Sequence, residues 1–245
     1  STGDGPTLTL QMSREDSDEI KRKPRLLTGR DTSYVALDCD ETYRDNAFPV
    51  NFGIRRSRVD ALQAEVFVPD TTRPVLTSAS LDLDVKILTL EFDETVNASS
   101  LIVDYLQVQS TERDLSYTER VQLESYVTAG DIRHDRMSRR GSGRISPAGS
   151  NVSIAIGDRD FAAMKLATTF GSDATSTFVA ALGGAVLDMN GNKLTEVPLS
   201  KAVAATNGVF RDNQPPSLAS FALDLDSGVF ALQFDEPVTR ASLDM

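Results

Sequence analysis

Residues 70–101 read DTTRPVLTSASLDLDVKILTLEFDETVNASSL, and residues 212–243 read DNQPPSLASFALDLDSGVFALQFDEPVTRASL. Aligned without a gap, the two stretches are identical at 15 of 32 positions, at an offset of 142 residues, which is 212 minus 70. The letters LDLD and FDE occur in both. Self-similarity at a fixed offset is the signature of a repeat architecture. The sequence therefore indicates a duplicated unit the size of a domain.

An alternation of apolar and polar residues runs through each copy, with the apolar positions at Leu88, Leu90 and Phe92 and at Phe230, Leu232 and Phe234. A period of two predicts a strand with one buried face. The preceding LDLD predicts a second short strand, and the short, mainly polar connections 84–86 and 226–228 predict a tight hairpin turn. The segments 70–74 and 212–216 contain proline, which predicts short, fairly rigid linkers.

A second similarity links REDSDEIK, ending at Lys21, with GDRDFAAMK, ending at Lys165, at an offset of 144 residues. Each stretch predicts a short helical turn. Asp16 and Asp160 are the predicted N-caps, and Glu19 completes a capping box in the first copy.

The two offsets divide the chain into three predicted parts. Residues 1–70 are the C-terminal part of one repeat, residues 71–212 a complete repeat, and residues 213–245 the N-terminal part of the next. Seven or more short strands between turns favour a β-sandwich, and residues 7–11 and 152–156 are predicted to be corresponding strands. The predicted fold class is all-β, with tandem β-sandwich domains that each carry a short helical turn.

The partial repeats have two interpretations. In the simpler one, the chain belongs to a continuous, much longer polypeptide. In the other, the partial repeats of successive subunits complete one sandwich by donor-strand complementation.

The composition argues against some partners. The net charge of −11 and the pI near 4.6 disfavour nucleic acid. No transmembrane run is visible in the sequence, so no membrane insertion is expected within this segment. The single cysteine, Cys39, excludes a disulfide within the chain and is predicted to be a small buried residue. The sequons at 97–99 and 151–153 predict glycosylation of Asn97 and Asn151.

No catalytic residues are predicted. The single histidine, His134, and Cys39 fall in different predicted domains, so no catalytic triad or Cys-His pair can be proposed. The pair Asp93 and Glu94 recurs in the second copy, which favours a structural role. We therefore predict that the protein is not an enzyme.

The sequence offers two candidate calcium sites. Residues 188–192 begin like an EF-hand loop, but Lys193 and Leu199 stand where that loop needs glycine and glutamate, so a turn is predicted instead. The linker is the better candidate, with Asp212, Asn213, Asp235 and Glu236 as ligands. Arg73, in the corresponding first linker, would oppose a cation. No other cofactor is expected.

One segment of this acidic chain is rich in arginine and positively charged. It contains Arg133, Arg136, Arg139, Arg140 and Arg144. One interpretation is a solvated loop. The other is a subunit contact that binds the acidic face of a neighbouring copy or an anionic glycan.

Five short sequence motifs, most of them repeated, support a resemblance. They comprise P-x-L-x-S, LDLD, L-x-L-x-F-D-E-x-V, the D-x-x-x-[IM]-K turn and DMNGN at 188–192. They resemble the bacterial S-layer type of Ig-like domain, found in tandem in large surface proteins. They are also similar to repeats of very large algal and protist extracellular proteins, including the shaft proteins of flagellar hairs (mastigonemes). Residues 110–149 depart from a compact Ig-like module and are predicted to be an insertion.

The resemblance implies an extracellular or cell-surface location, with the flagellar surface as the specific case. The expected function is structural, namely assembly of tandem Ig-like repeats into a filament or surface layer, such as a mastigoneme shaft. The expected partners are other copies of the protein and glycans. One alternative is an adhesion or ligand-binding protein in which these modules are rigid spacers, and another is a secreted enzyme whose chemistry lies outside these residues.

Overall fold

The computed structural model describes residues 6–23, 25–37, 43–124, 126–128, 148–167 and 170–240. In this part of the chain strands predominate and helices are few, which confirms the prediction of a β-rich protein. The chain forms two compact units, one of residues 1–72 with 189–192 and one of residues 73–188 with 193–245. The domain boundaries predicted from the repeat stay a prediction.

The first unit contains helix α1 (Arg14–Lys21) and the strands β1 (Tyr34–Val35) and β2 (Leu62–Gln63). The two strands pair antiparallel, and a 3₁₀ turn at Arg58–Asp60 precedes β2. The prediction of a strand at residues 7–11 is wrong for this chain, since the structure assigns no strand there. A strand requires a neighbour for its backbone hydrogen bonds, and this segment has none among the described residues of its unit.

Both predicted helical turns exist, but both predicted N-caps are wrong. Helix α1 is capped by Ser13, whose Oγ accepts a hydrogen bond from the amide of Asp16 at 3.0 Å. Helix α2 (Asp158–Leu166) begins after Gly157, and the Oδ2 of Asp160 accepts from the amide of Glu124 at 2.8 Å. Acidic residues are favoured throughout the first turn of a helix, so the pattern alone fixes the cap poorly. None of the described helices is long and apolar enough to cross a membrane.

The strands of the second unit are β3 (Leu76–Asp82), β4 (Ile87–Asn97), β5 (Leu106–Gln109), β6 (Arg120–Gln122), β7 (Tyr126–Thr128), β8 (Ala148–Ile156), β9 (Phe178–Ala181), β10 (Leu187–Asp188), β11 (Val203–Ala204), β12 (Val209–Phe210), β13 (Leu218–Asp224) and β14 (Val229–Phe234). One sheet has the order β12-β3-β4-β8-β7, with β10 also on β4, and a second has the order β11-β9-β5-β6. All the pairs are antiparallel except β12 with β3.

Both sheets contribute to one hydrophobic core. Leu88, Leu90 and Phe92 of β4 are buried in it, as the alternation predicted. Val108 of β5 and Val179 of β9 enter the same cluster from the other sheet. Strand β6, which lies in the predicted insertion at 110–149, pairs with β5 and therefore belongs to this sheet.

The hairpin β13–β14 repeats the hairpin β3–β4 in register. Leu81 lies opposite Leu88, and Leu223 lies opposite Phe230. Each hairpin has a register shift at the start of its first strand. In the turns, Asp82 Oδ1 accepts hydrogen bonds from two backbone amides, at 3.0 and 3.2 Å, and so does Asp224 Oδ1, at 2.9 and 3.2 Å. The aspartates of the LDLD letters therefore build the turn.

The β1–β2 pair repeats the pairing of β9 with β11. Tyr34 and Val35 lie opposite Gln63 and Leu62, as Phe178 and Val179 lie opposite Ala204 and Val203. In both pairs, the residue after the second strand donates its amide to the carbonyl of the residue before the first strand. Ala64 donates to Ser33, and Ala205 donates to Thr177, each at 2.9 Å. The first unit thus reproduces local geometry from the later half of the second.

Candidate functional site

The linker at 212–216 is held by a cluster of three charged side chains, which we call the lysine cluster: Lys165, Asp212 and Glu236. The ammonium of Lys165, in the last turn of α2, donates to Asp212 Oδ2 and to Glu236 Oε2. The three side chains are only 21%, 9% and 10% exposed, respectively. The cluster therefore joins the helix, the linker and the residues after β14, and its side chains are largely shielded from solvent.

Local geometry orients the linker toward the lysine. Asp212 Oδ1 accepts from the amide of Gln214 at 2.9 Å, an Asx-type turn that leaves Oδ2 for Lys165. Asp84, in the β3–β4 turn, accepts from the amide of Asn213 at 3.3 Å and from Gln214 Nε2 at 3.1 Å. The linker is thus fixed on two sides by the second unit.

An aromatic ring supports the lysine. The ring of Phe161, one turn before Lys165 on α2, is buried, and Lys165 Nζ lies 5.6 Å from its centroid. Lys86 Nζ lies 4.4 Å from the same ring and 2.9 Å from Asp158 Oδ1. Cations favour the negative face of an aromatic ring, so Phe161 contributes to the placement of both lysines.

The electrostatics of the cluster favour the charged forms of Lys165 and Asp212. Burial by itself would lower the pKa of Lys165, but its hydrogen bonds to Asp212 and Glu236 outweigh burial and raise that pKa. Burial would likewise raise the pKa of Asp212, but the hydrogen bonds from Lys165 and from the amide of Gln214 lower it. The Lys165–Asp212 pair is thus more stable as an ion pair than either group would be alone.

The same pair occurs in the first unit. Lys21 Nζ lies 2.7 Å from Asp70 Oδ2, and Asp70 Oδ1 accepts from the amide of Thr72 at 2.9 Å. Burial by itself would raise the pKa of Asp70, but the nearby ammonium of Lys21 and the hydrogen bond from the amide of Thr72 outweigh burial and lower that pKa. A lysine at the end of a helix therefore holds the aspartate at the start of a linker in each unit.

The structure brings together two of the four predicted calcium ligands. Asp212 and Glu236 meet at the ammonium of Lys165, whereas Asp235 Oδ1 accepts from the amide of Ser217 at 2.8 Å. Asn213 Nδ2 donates to the carbonyl of Arg211 at 3.2 Å. The calcium site stays a prediction, and a metal between Asp212 and Glu236 would have to displace Lys165. The role of Lys165 was not predicted from the sequence. The available signal is that Lys21 and Lys165 recur at nearly the same offset as the linker aspartates Asp70 and Asp212.

The other predicted sites have diverse locations. Asn97 is half-buried at the end of β4, where its Oδ1 accepts from the amide of Ser99 at 3.1 Å, while Asn151 is exposed on β8. Gly191, with φ +90°, lies in a turn, as predicted for residues 188–192. The predicted contact residues Arg133, Arg136, Arg139, Arg140 and Arg144 lie outside the described residues, as do Cys39 and His134.

The hairpin β13–β14 forms a second candidate surface, which we call the open hairpin. Phe221, Leu223 and Phe230 are 64%, 56% and 60% exposed, and the rings of Phe221 and Phe230 pack edge to face with centroids 5.7 Å apart. The corresponding residues of the first hairpin, Ala79, Leu81 and Leu88, are fully buried. Exposed apolar groups in a contiguous patch mark a surface that binds another element.

Comparisons with known proteins give little further information. No family model matches the chain, and no curated protein matches it. Among solved structures, the chain is similar to one described as a thermostable esterase, with 12% identity and a TM-score of 0.28, over 65% of this chain and 40% of that chain. The prediction that the protein is not an enzyme is contradicted by this match and is withdrawn. A TM-score of 0.28 carries no argument for the fold or for an esterase activity.

Proposed function

We propose that this protein is a structural component of an extracellular assembly, built from repeated Ig-like β-sandwich modules that form a filament or surface layer. A mastigoneme shaft is the specific case suggested by the sequence resemblance. The observation that carries the proposal is the repetition of one hairpin, with the same register and the same aspartate turn, at an offset of 142 residues. Repeated modules that contact mainly their neighbours form extended arrays.

The lysine cluster supports the proposal because an array with a regular repeat needs stiff linkers. Pro215 and Pro216 restrict the backbone of the linker, and Lys165 ties Asp212 to Glu236. Domains joined by a flexible linker move independently by default. A linker that is fixed by proline and by a shielded ion cluster limits that motion.

Electron microscopy of the native material, with and without a calcium chelator, tests the proposal. We expect regular filaments or layers whose repeat is one or a few module lengths, and we expect chelation to leave them intact because Lys165 supplies the cation at the linker. Filaments that dissolve on chelation would restore a calcium-held linker. Isolated rods without axial or lateral order would refute the structural role and favour the spacer role of an adhesion protein.

A further inference from the structure

Among the described residues, no strand lies beside β14 in the place that β8 takes beside β4. In the second unit, β4 pairs with β3 on one side and with β8 on the other. In the described part of the chain, β14 pairs with β13 only. The counterparts of the buried Ala79, Leu81 and Leu88 are exposed on β13 and β14, while the counterparts of Leu90 and Phe92 are half-buried. An isolated two-stranded hairpin is marginally stable in water, so this edge is a favourable place for strand addition.

The β4–β8 pair shows which strand such a hairpin accepts. Leu90 lies opposite Val152 and Leu88 opposite Ile154, and all four side chains are buried. Between them, the hydroxyls of Thr89 and Ser153 lie 2.9 Å apart on the opposite face of the sheet. The accepted strand is thus antiparallel and presents apolar residues at every second position.

The chain carries a second segment with the pattern of β8. At the offset of 144 residues that aligns Lys21 with Lys165, Leu8 and Leu10 correspond to Val152 and Ile154. Both leucines are exposed, at 62% and 83%. Val35 on β1, the counterpart of the fully buried Val179, is also more than half exposed. The first unit therefore presents the elements that cover a hairpin in the second unit, with their apolar residues uncovered.

We propose that residues 7–12 of one copy of this chain add as an antiparallel strand to β14 of a second copy, in the register of β8 on β4. Leu8 then lies opposite Leu232, Leu10 opposite Phe230, and Thr9 opposite Ala231. The apolar residues of the added strand meet the exposed face of the open hairpin, and its threonines lie on the other face.

This contact uses a different surface on each partner, so every copy that receives a strand can also donate one. Such heterologous contacts build rings if they close and open filaments if they do not. The inference rests on the proposed structural role, to which it adds the partner, a second copy, and the residues that join the two.

Disulfide formation between two cysteine variants tests the register. In a C39S background, copies with Thr9→Cys are mixed with copies with Ala231→Cys under mild oxidation. The matched control replaces Thr9→Cys with Thr7→Cys, which faces the same side of the strand two residues away. We expect the Thr9 variant to form the mixed disulfide and the Thr7 variant to form at least about tenfold less, because diagonal neighbours are roughly 7 Å apart or more. Equal yields would overturn the inference.

Sedimentation of the full chain over a range of concentrations tests the apolar contact. We expect Leu10→Glu to weaken self-association about tenfold or more, because it places a charge against Phe230. Val59→Glu is the control, since Val59 is 94% exposed and lies outside the added strand, and it should not change association. Circular dichroism verifies that each variant keeps its fold.

The outcomes separate this inference from the proposed function. Filaments that persist in Leu10→Glu would overturn strand addition and leave the structural role in place. If the wild-type chain forms closed rings or dimers but no filaments, and Leu10→Glu abolishes them, strand addition is supported and the filament is refuted. A chain that stays monomeric at every concentration would overturn strand addition, as expected if the same polypeptide covers its own hairpin.

Discussion

Leu81 and Leu223 occupy the same register position in two hairpins, opposite Leu88 and Phe230, yet Leu81 is fully buried and Leu223 is 56% exposed. The two leucines share the letters LDLD and the same turn, so their local sequence cannot explain the difference. In the described part of the chain, strand β8 and the second sheet cover the first hairpin, and no strand covers the second.

This contrast predicts different costs for the same substitution. Leu81→Ala should lower the free energy of unfolding of the second unit by about 2–5 kcal/mol, because it leaves a cavity in the core. Leu223→Ala should change it by less than about 0.5 kcal/mol at concentrations where the chain is monomeric. Urea denaturation of the two variants checks this. Equal effects would mean that the hairpin β13–β14 is covered in solution.

The lysine cluster predicts a specific loss of stability. Lys165→Met should destabilise the second unit by about 2 kcal/mol, because two largely shielded carboxylates lose their counter-ion. Lys201→Met is the matched control, since Lys201 is exposed on a 3₁₀ turn, and it should be neutral. Urea denaturation measures both. A Lys165→Met protein as stable as the control would show that the cluster contributes no net stabilisation.

The pKa shifts of the cluster predict how stability depends on pH. The pKa of Asp212 is lowered in the folded state, so its stabilisation is full above the unfolded pKa of about 3.9 and is lost as pH falls through the folded pKa. The pKa of Lys165 is raised, so its contribution is full below the unfolded pKa of about 10.4 and is lost as pH rises through the folded pKa.

Thermal unfolding of Asp212→Asn between about pH 2 and 7 checks the acid side. The difference in stability between the variant and the wild type should be largest at neutral pH and should shrink in acid. A difference that does not depend on pH would contradict the shift assigned to Asp212.

The turn of the open hairpin predicts a backbone effect. Gly228 has φ +67°, and a Cβ there would meet no atom within 4 Å. Gly228→Ala should therefore lower the stability of the hairpin by about 1 kcal/mol, because an alanine is strained at a positive φ. Gly29→Ala is the control, because Gly29 also has open space but an extended φ of −173°. Hydrogen exchange of the β13–β14 amides measures local opening. Faster exchange is expected only for Gly228→Ala, and unchanged exchange would show that the turn tolerates an alanine.

The two sequons predict different occupancy if the protein is secreted. Asn151 is exposed, whereas Asn97 is half-buried and its Oδ1 accepts from the amide of Ser99. Intact-mass measurement of protein from a secretory host should therefore show a glycan that Asn151→Gln removes and Asn97→Gln does not. Occupancy at Asn97 alone would contradict this assignment.

Sequence patterns predicted the elements whose determinants are local. The alternation at Leu88, Leu90 and Phe92 predicted β4, because a buried strand face imposes a period of two. The short connections at 84–86 and 226–228 predicted the hairpin turns, and the structure adds that Asp82 and Asp224 accept the turn amides. The predicted N-caps Asp16 and Asp160 are wrong, since the observed N-caps are Ser13 and Gly157. The acidic residues of the first helical turn resemble N-caps in sequence. The predicted strand at 7–11 is not observed, because a strand needs a neighbouring strand for its backbone hydrogen bonds.

The sequence by itself determined the duplication, the β-rich character and the hairpin with its aspartate turn, since each is encoded within a few neighbouring residues. The tertiary structure alone decided that Lys165 meets Asp212 and Glu236, 47 and 71 residues away along the chain. It alone decided that one LDLD hairpin is buried and the other is open. Long-range contacts set burial and charge pairing, and a local pattern contains no information about which distant residue will supply them.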